Sequence, residues 1–288
     1  MSLRQVMKGV GFVGVVILLA AVVMGASRVA AAPTSGSTNW AVLIEYNSYH
    51  DQYPDLPVGY INSTRMLTTL ARRGWPSDHL LLLRDNQDRA VLHHATGWLA
   101  ARVRPGDLAL LYVAGEYQFF DRDLMWDMTL PALWKRVPTS HRVLIVETCF
   151  AERMTAVVRR VPGFGLPAVG RDERDWWGLH DTDRLIRGGA FTYFLSHALE
   201  SQPADMPLDF AGAFGTAVTS AQAYFRTVIA TTPGALDSFH AMGDFPERLA
   251  TFPNPHLVEE TADPVASTRA TTDPYPTSPV WVRLRSSP

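Results

Sequence analysis

The residues with the most chemical potential in this chain lie in one stretch, residues 142–154, which reads RVLIVETCFAERM. An apolar run, Val143 to Val146, ends on Glu147, and Cys149, the sole cysteine, follows two residues later. A thiol just beyond a strand end is well placed for nucleophilic chemistry, because function in open α/β sheets collects outside the carboxyl ends of the strands. Cysteine is also among the most buried residue types, so packing alone accounts for it equally well. From position, both readings stay open. One cysteine excludes an internal disulfide framework and leaves any cysteine chemistry to Cys149.

The elements that must position this stretch are legible in the hydrophobic pattern. Short apolar runs at Trp40–Ile44, His79–Leu83, Leu108–Ala114, Val143–Val146 and Leu166–Val169 predict five strands. Helical patterns lie between and after them at residues 62–73, 88–103, 129–137, 188–199 and 209–229, with Asn62 or Ser63 as the first helix's cap. Continuous apolar strands separated by helices imply a mainly parallel sheet covered on both faces. The residues to weigh are then those just after each run: Glu45-Tyr46-Asn47, Arg84-Asp85, Gly115-Glu116-Tyr117, Glu147-Thr148-Cys149 and Gly170-Arg171-Asp172.

Five pieces, in order, resemble the caspase/legumain-like class (clan CD) of cysteine peptidases across residues 39–250. They are WAVLI, GYINSTRMLTTLARRGW, PGDLALLYVAG, VLIVETCFAERM and GGAFTYFLSHALES. The resemblance implies a three-layer sandwich, a six-stranded mainly parallel sheet flanked by helices. It also assigns Cys149 as the nucleophile at the end of the fourth strand. In the family a Gly-His-Gly segment ends the third strand and supplies the dyad histidine. Here Glu116 stands at the His position and Tyr117 at the oxyanion Gly position. A neighbouring imidazolium lowers a thiol's pKa from about 8.5, whereas a carboxylate disfavours the thiolate by like charge. A glutamate with a reference pKa of about 4.3 is also a poor base for a thiol. Losing an oxyanion donor at Tyr117 would cost a further ~10²–10³ in rate.

By the same resemblance, Glu147 lines the pocket for the residue before the cleaved bond and favours a basic or amide side chain. Asp172 is a second candidate for that pocket. The alternative for Glu147 is a strand-end carboxylate bonded to a loop N–H. A recruited histidine could restore the dyad. His141 starts the fourth strand, eight positions and so roughly 26 Å from Cys149 at 3.3 Å per residue, and is too far away. His93, His94 and His197 fall inside helical patterns. His50 and His180, in loops on the correct edge, remain.

The first 32 residues read as a signal peptide or signal anchor: Arg4 and Lys8, an uncharged stretch from Gly9 to Ala26, then a run of small residues. That stretch, about 18 residues long, also suffices to span a bilayer, so cleavage and anchoring both stay open. The leader's Gly9-Val10-Gly11-Phe12-Val13-Gly14 lacks the strand and helix that a dinucleotide site needs. Residues 33–38 read as a linker, 39–252 as the caspase/legumain-like domain, and 253–288 as a Pro/Thr/Ser-rich disordered tail. Asn62-Ser63-Thr64 fits a glycosylation pattern but reads first as a helix start, and Trp176-Trp177 reads as packing or as the wall of a peptide groove.

With 288 residues and a net charge of −2, the near-neutral balance argues against nucleic acid as the main partner, which would want a basic face, and the chain carries no cofactor or metal motif. The expectation is an exported (periplasmic, extracellular or lumenal) peptidase homologue, a pseudopeptidase that engages peptide or protein. The membrane is a further partner if the leader is retained. The alternative is an active cysteine endopeptidase or transpeptidase using His50 or His180. A third reading, an unrelated doubly wound α/β binding protein, would need a ligand motif that the sequence lacks.

Overall fold

The computed structural model describes residues 38–49, 55–56, 59–85, 90–171, 173, 175, 186–241 and 253–259. The leader with its glycine motif, His50, Asp172, Trp176, Trp177, His180 and the chain from 260 onward lie outside them.

Five strands pair in parallel: β1 (Asn39–Glu45), β2 (Leu80–Arg84), β3 (Leu108–Ala114), β4 (His141–Glu147) and β5 (Phe164–Pro167). A sixth, β6 (Val258–Glu259), adds antiparallel to β5, giving the order β2-β1-β3-β4-β5-β6. β1, β3 and β4 are buried along nearly their whole length without alternation, as strands covered on both faces must be. The helices are α1 (Ile61–Arg72), α2 (Val91–Ala100), α3 (Trp126–Trp134), α4 (Ala151–Thr155), α5 (Ala190–Glu200), α6 (Phe210–Thr231) and α7 (Ala235–Ala241). α1, α5 and α6 pack together, and α2 packs with α3. The strand order reverses direction after β2, so right-handed crossovers place α1 and α2 on opposite faces. The mainly parallel, six-stranded, three-layer α/β class expected from the sequence is the one observed.

The differences are local and have physical causes. β5 starts two residues earlier than its apolar run suggests, because Gly165 belongs to the strand. A Cβ there would lie 2.7 Å from Thr155 Cβ, so the glycine lets the α4 segment approach the sheet. Pro167 then ends the regular pairing, although the Ala168 N–H still donates to Val146 O at 2.9 Å. α3 starts at Trp126 rather than Thr129, since Met128 N and Thr129 N both donate to Met125 O and close the first turn before Pro131. Beyond the expected domain end at 252, the chain still contributes an edge strand. Val258 and Glu259 join the sheet, and a two-residue edge strand is too brief to leave a periodic signal.

The expected Asn62 or Ser63 cap on α1 is also replaced. The helix begins at Ile61, and Tyr60 supplies no side-chain cap. Instead Glu45, at the end of β1, accepts the N–H of Asn62 at 3.2 Å and of Ser63 at 2.8 Å. A carboxylate from a neighbouring strand thus satisfies two orphan helix donors and complements the positive end of the helix dipole. Asn62 itself is fully buried, and its Oδ1 accepts the Gly189 N–H at 2.9 Å. It is a helix-start residue rather than a glycan acceptor.

Candidate functional site at the carboxyl edge of the sheet

All five parallel strands end on one edge. Ala114 on β3 pairs with Glu147 on β4, and the ladder runs one bond further, from Gly115 N–H to Glu147 O at 3.2 Å. Glu116 and Cys149 therefore leave adjacent strand ends, about 5 Å apart in the pairing direction. Cys149, Glu116 and Tyr117 are all half-buried, neither sealed in the core nor fully solvated.

The turn that follows the thiol is tightly held. Phe150 has φ +56°, a left-handed conformation that costs a non-glycine residue free energy and persists only where surroundings impose it. Its N–H donates to Glu173 O at 2.8 Å. Its ring meets the Tyr117 ring edge-on at 5.2 Å, and the Arg153 guanidinium lies 5.0 Å from the ring centre. The Glu173 side chain in turn accepts the N–H of Gly170 and of Asn254, each at 2.8 Å. His256 approaches Glu152 Oε2 at 3.2 Å, three residues beyond the thiol. Residues 253–259 thus return to the turn after Cys149. No sequence pattern signals this, because single side chains in a Pro-rich stretch carry no period.

Glu147 lies one step deeper and is fully buried. Its Oε2 accepts the Thr192 N–H at 2.7 Å and also the Thr192 hydroxyl, whose Oγ1 lies 2.8 Å from Tyr112 Oη. It caps α5, whose own N-cap, Gly189, has no side chain, just as Glu45 caps α1. Glu147 Oε1 is buried without a hydrogen-bond partner among the described residues. Burial pushes the Glu147 carboxyl well above the usual range, and Asp175 pushes in the same direction. The Thr192 bonds and the Arg65 charge pull it down. Burial likewise raises Glu45.

A pH dependence follows. The folded chain keeps a proton on Glu147 at pH values where the unfolded chain, with a pKa of about 4.3, has lost it. Stability from this group is therefore greatest in acid and declines as pH rises from about 4.3 toward the raised folded-state value. Glu147→Gln removes the titration and keeps an acceptor for Thr192. Its melting temperature between about pH 4.5 and 7 is expected to slope less than the parent's. Identical slopes by thermal melting would mean that Glu147 is already ionised in the fold.

Five of the described histidines sit elsewhere or serve other partners. His79 stacks on Trp40 at 3.7 Å, at the amino ends of the strands. His141 starts β4, with Nδ1 3.3 Å from Gly106 O, so the length of the strand separates it from Cys149 as expected. His93 and His94 lie on α2, and His197 lies on α5 against Tyr193. Among the described residues, no helix is long and apolar enough to cross a membrane.

No protein-family model matches the chain, and no curated protein matches it. Among solved structures, it is similar to the crystal structure of caspase-1 from Spodoptera frugiperda. The TM-score is 0.42 at 9% identity, over 65% of this chain and 78% of that one.

Proposed function

We propose that this chain is a caspase/legumain-like cysteine peptidase homologue that engages peptides or proteins at the carboxyl edge of its sheet but cleaves them poorly or not at all. The observation that carries the reading is the shared exit of β3 and β4: Glu116 and Cys149 each follow two residues after the paired Ala114 and Glu147. A thiol is reactive as the thiolate, and an adjacent carboxylate opposes that form by like charge. Tyr117 packs its ring on Phe150 in the place where the resemblance calls for a glycine. Glu147 shapes the edge from beneath by holding the start of α5. Export through the leader, with or without retention in a membrane, belongs to the same proposal.

The test is labelling of the purified chain with iodoacetamide at pH 7, against its Cys149→Ala form, with peptides carrying Arg, Lys or Asn before the scissile bond assayed in parallel. Slow labelling and no turnover are expected. Turnover that Cys149→Ala abolishes, and that also depends on His50 or His180, would replace this reading with an active endopeptidase.

A further inference from the structure

We infer that Tyr49 is the positioning residue for Glu116: its buried hydroxyl fixes the backbone that carries the acid to the thiol's side of the sheet edge. This rests on the reading of Glu116 as the group that governs Cys149.

Tyr49, in the loop after β1, is 1% exposed. The Glu116 N–H donates to Tyr49 Oη at 2.7 Å, and the hydroxyl donates to Tyr46 O at 3.0 Å. One hydroxyl thereby satisfies a donor from the β3 exit and an acceptor from the β1 exit. The Tyr46 N–H donates to Ala114 O at 3.0 Å, so the two exits are joined both by the strand ladder and by the phenol. Gly115 keeps the room for it. At φ +149°, a Cβ there would lie 2.7 Å from Tyr49 Oη, 3.2 Å from Tyr46 Cβ and 3.3 Å from Phe120 Cε2.

The tyrosine is anchored in its turn. Its N–H donates to Asp55 Oδ1 at 3.0 Å, while Asp85 Oδ1 takes the N–H of Asn47 at 2.7 Å and of Ser48 at 3.1 Å. Its ring packs against Tyr46 at 6.3 Å and edge-on to Phe119 at 5.6 Å. The charged and titratable groups near this contact are Glu116, Asp85 and Tyr46, with Asp121, Asp127 and Arg153 around Tyr117. Burial, then the Glu116 and Asp85 charges, push the Tyr49 phenol upward, so it remains a neutral donor through neutral pH. A main-chain grip of this kind holds Glu116 whatever its carboxyl does.

The experiment is the pH profile of Cys149 alkylation by iodoacetamide in the full chain, for the parent, Tyr49→Phe, Glu116→Gln and the double variant. Glu116→Gln is expected to raise alkylation at pH 7 about threefold or more by removing the like charge. Tyr49→Phe is expected to move the profile in the same direction, and the double variant to match Glu116→Gln alone. A shift in Glu116→Gln with none in Tyr49→Phe, or with a fully additive one, overturns the role of Tyr49 and leaves the reading of Glu116 standing. No shift in Glu116→Gln overturns that reading itself. Amide hydrogen exchange at Glu116 in the parent tests the grip without any variant: protection is expected, and fast exchange overturns it.

Discussion

Gly189→Ala is expected to cost about 3 kcal/mol of stability or more, the upper end for forcing atoms into a packed interior. The backbone of Gly189 has φ −59° and ψ 124°, which any residue adopts, so the cost is steric. A Cβ on Gly189 would fall inside the van der Waals envelope of Glu147 Oε1 and Cδ and 2.7 Å from Cγ. The glutamate cannot yield cheaply, because Oε2 is held by the Thr192 N–H and hydroxyl, and the Gly189 N–H is itself tied to Asn62 Oδ1. Gly97, in the middle of α2, is the control. A Cβ there meets nothing within 4 Å, so Gly97→Ala is expected to stabilise by about 0.5–1 kcal/mol through backbone entropy. Urea unfolding of both variants and of Glu147→Ala/Gly189→Ala gives the test. Truncating the glutamate removes the obstacle, so the double variant should be no less stable than Glu147→Ala alone. Additive costs would mean that Gly189 is required for some reason other than Glu147.

The same neighbourhood shows what a sequence can and cannot disclose. The buried strands were readable because an uninterrupted apolar run such as LALLYVA leaves few options, and their mainly parallel pairing followed from alternation with helices. Glu147 could be seen as a strand-end carboxylate, and Cys149 and Glu116 as residues just beyond their strand ends. What Glu147 does could not be seen. Its partner, Thr192, is 45 residues away on α5, and a helix capped by a distant strand leaves no Ser, Thr, Asp or Asn at its own N-cap to read. α1 misled in the same way, since Asn62 and Ser63 look like caps and are instead capped by Glu45. Glu173, Asn254 and Tyr49 were invisible for a related reason. Each acts through hydrogen bonds to residues far along the chain, and neither period nor composition encodes such contacts.

Joint replacement of Glu116 by His and Tyr117 by Gly should raise the rate of Cys149 alkylation at pH 7 about tenfold. An ordinary thiol with a pKa of about 8.5 is only about 3% thiolate at that pH, so lowering the pKa by one unit raises the thiolate fraction nearly in proportion. The geometry favours the transplant. The Glu116 backbone is held through its N–H by Tyr49 Oη at 2.7 Å, a contact independent of the side chain at 116, so an imidazole there would leave β3 along the same path. The Tyr117 change removes the ring that meets Phe150 at 5.2 Å, opening space above the turn after Cys149. Packing is lost with that ring, so the variant's melting temperature should be measured alongside. The discriminating signature is the direction of the pH profile. The double variant's alkylation should rise at lower pH than the parent's, and the single Tyr117→Gly change should enlarge access without moving the midpoint. A double variant whose midpoint coincides with the parent's would mean that position 116 does not face the thiol. The pairing of Ala114 with Glu147 would then position a strand pair but not a reactive one.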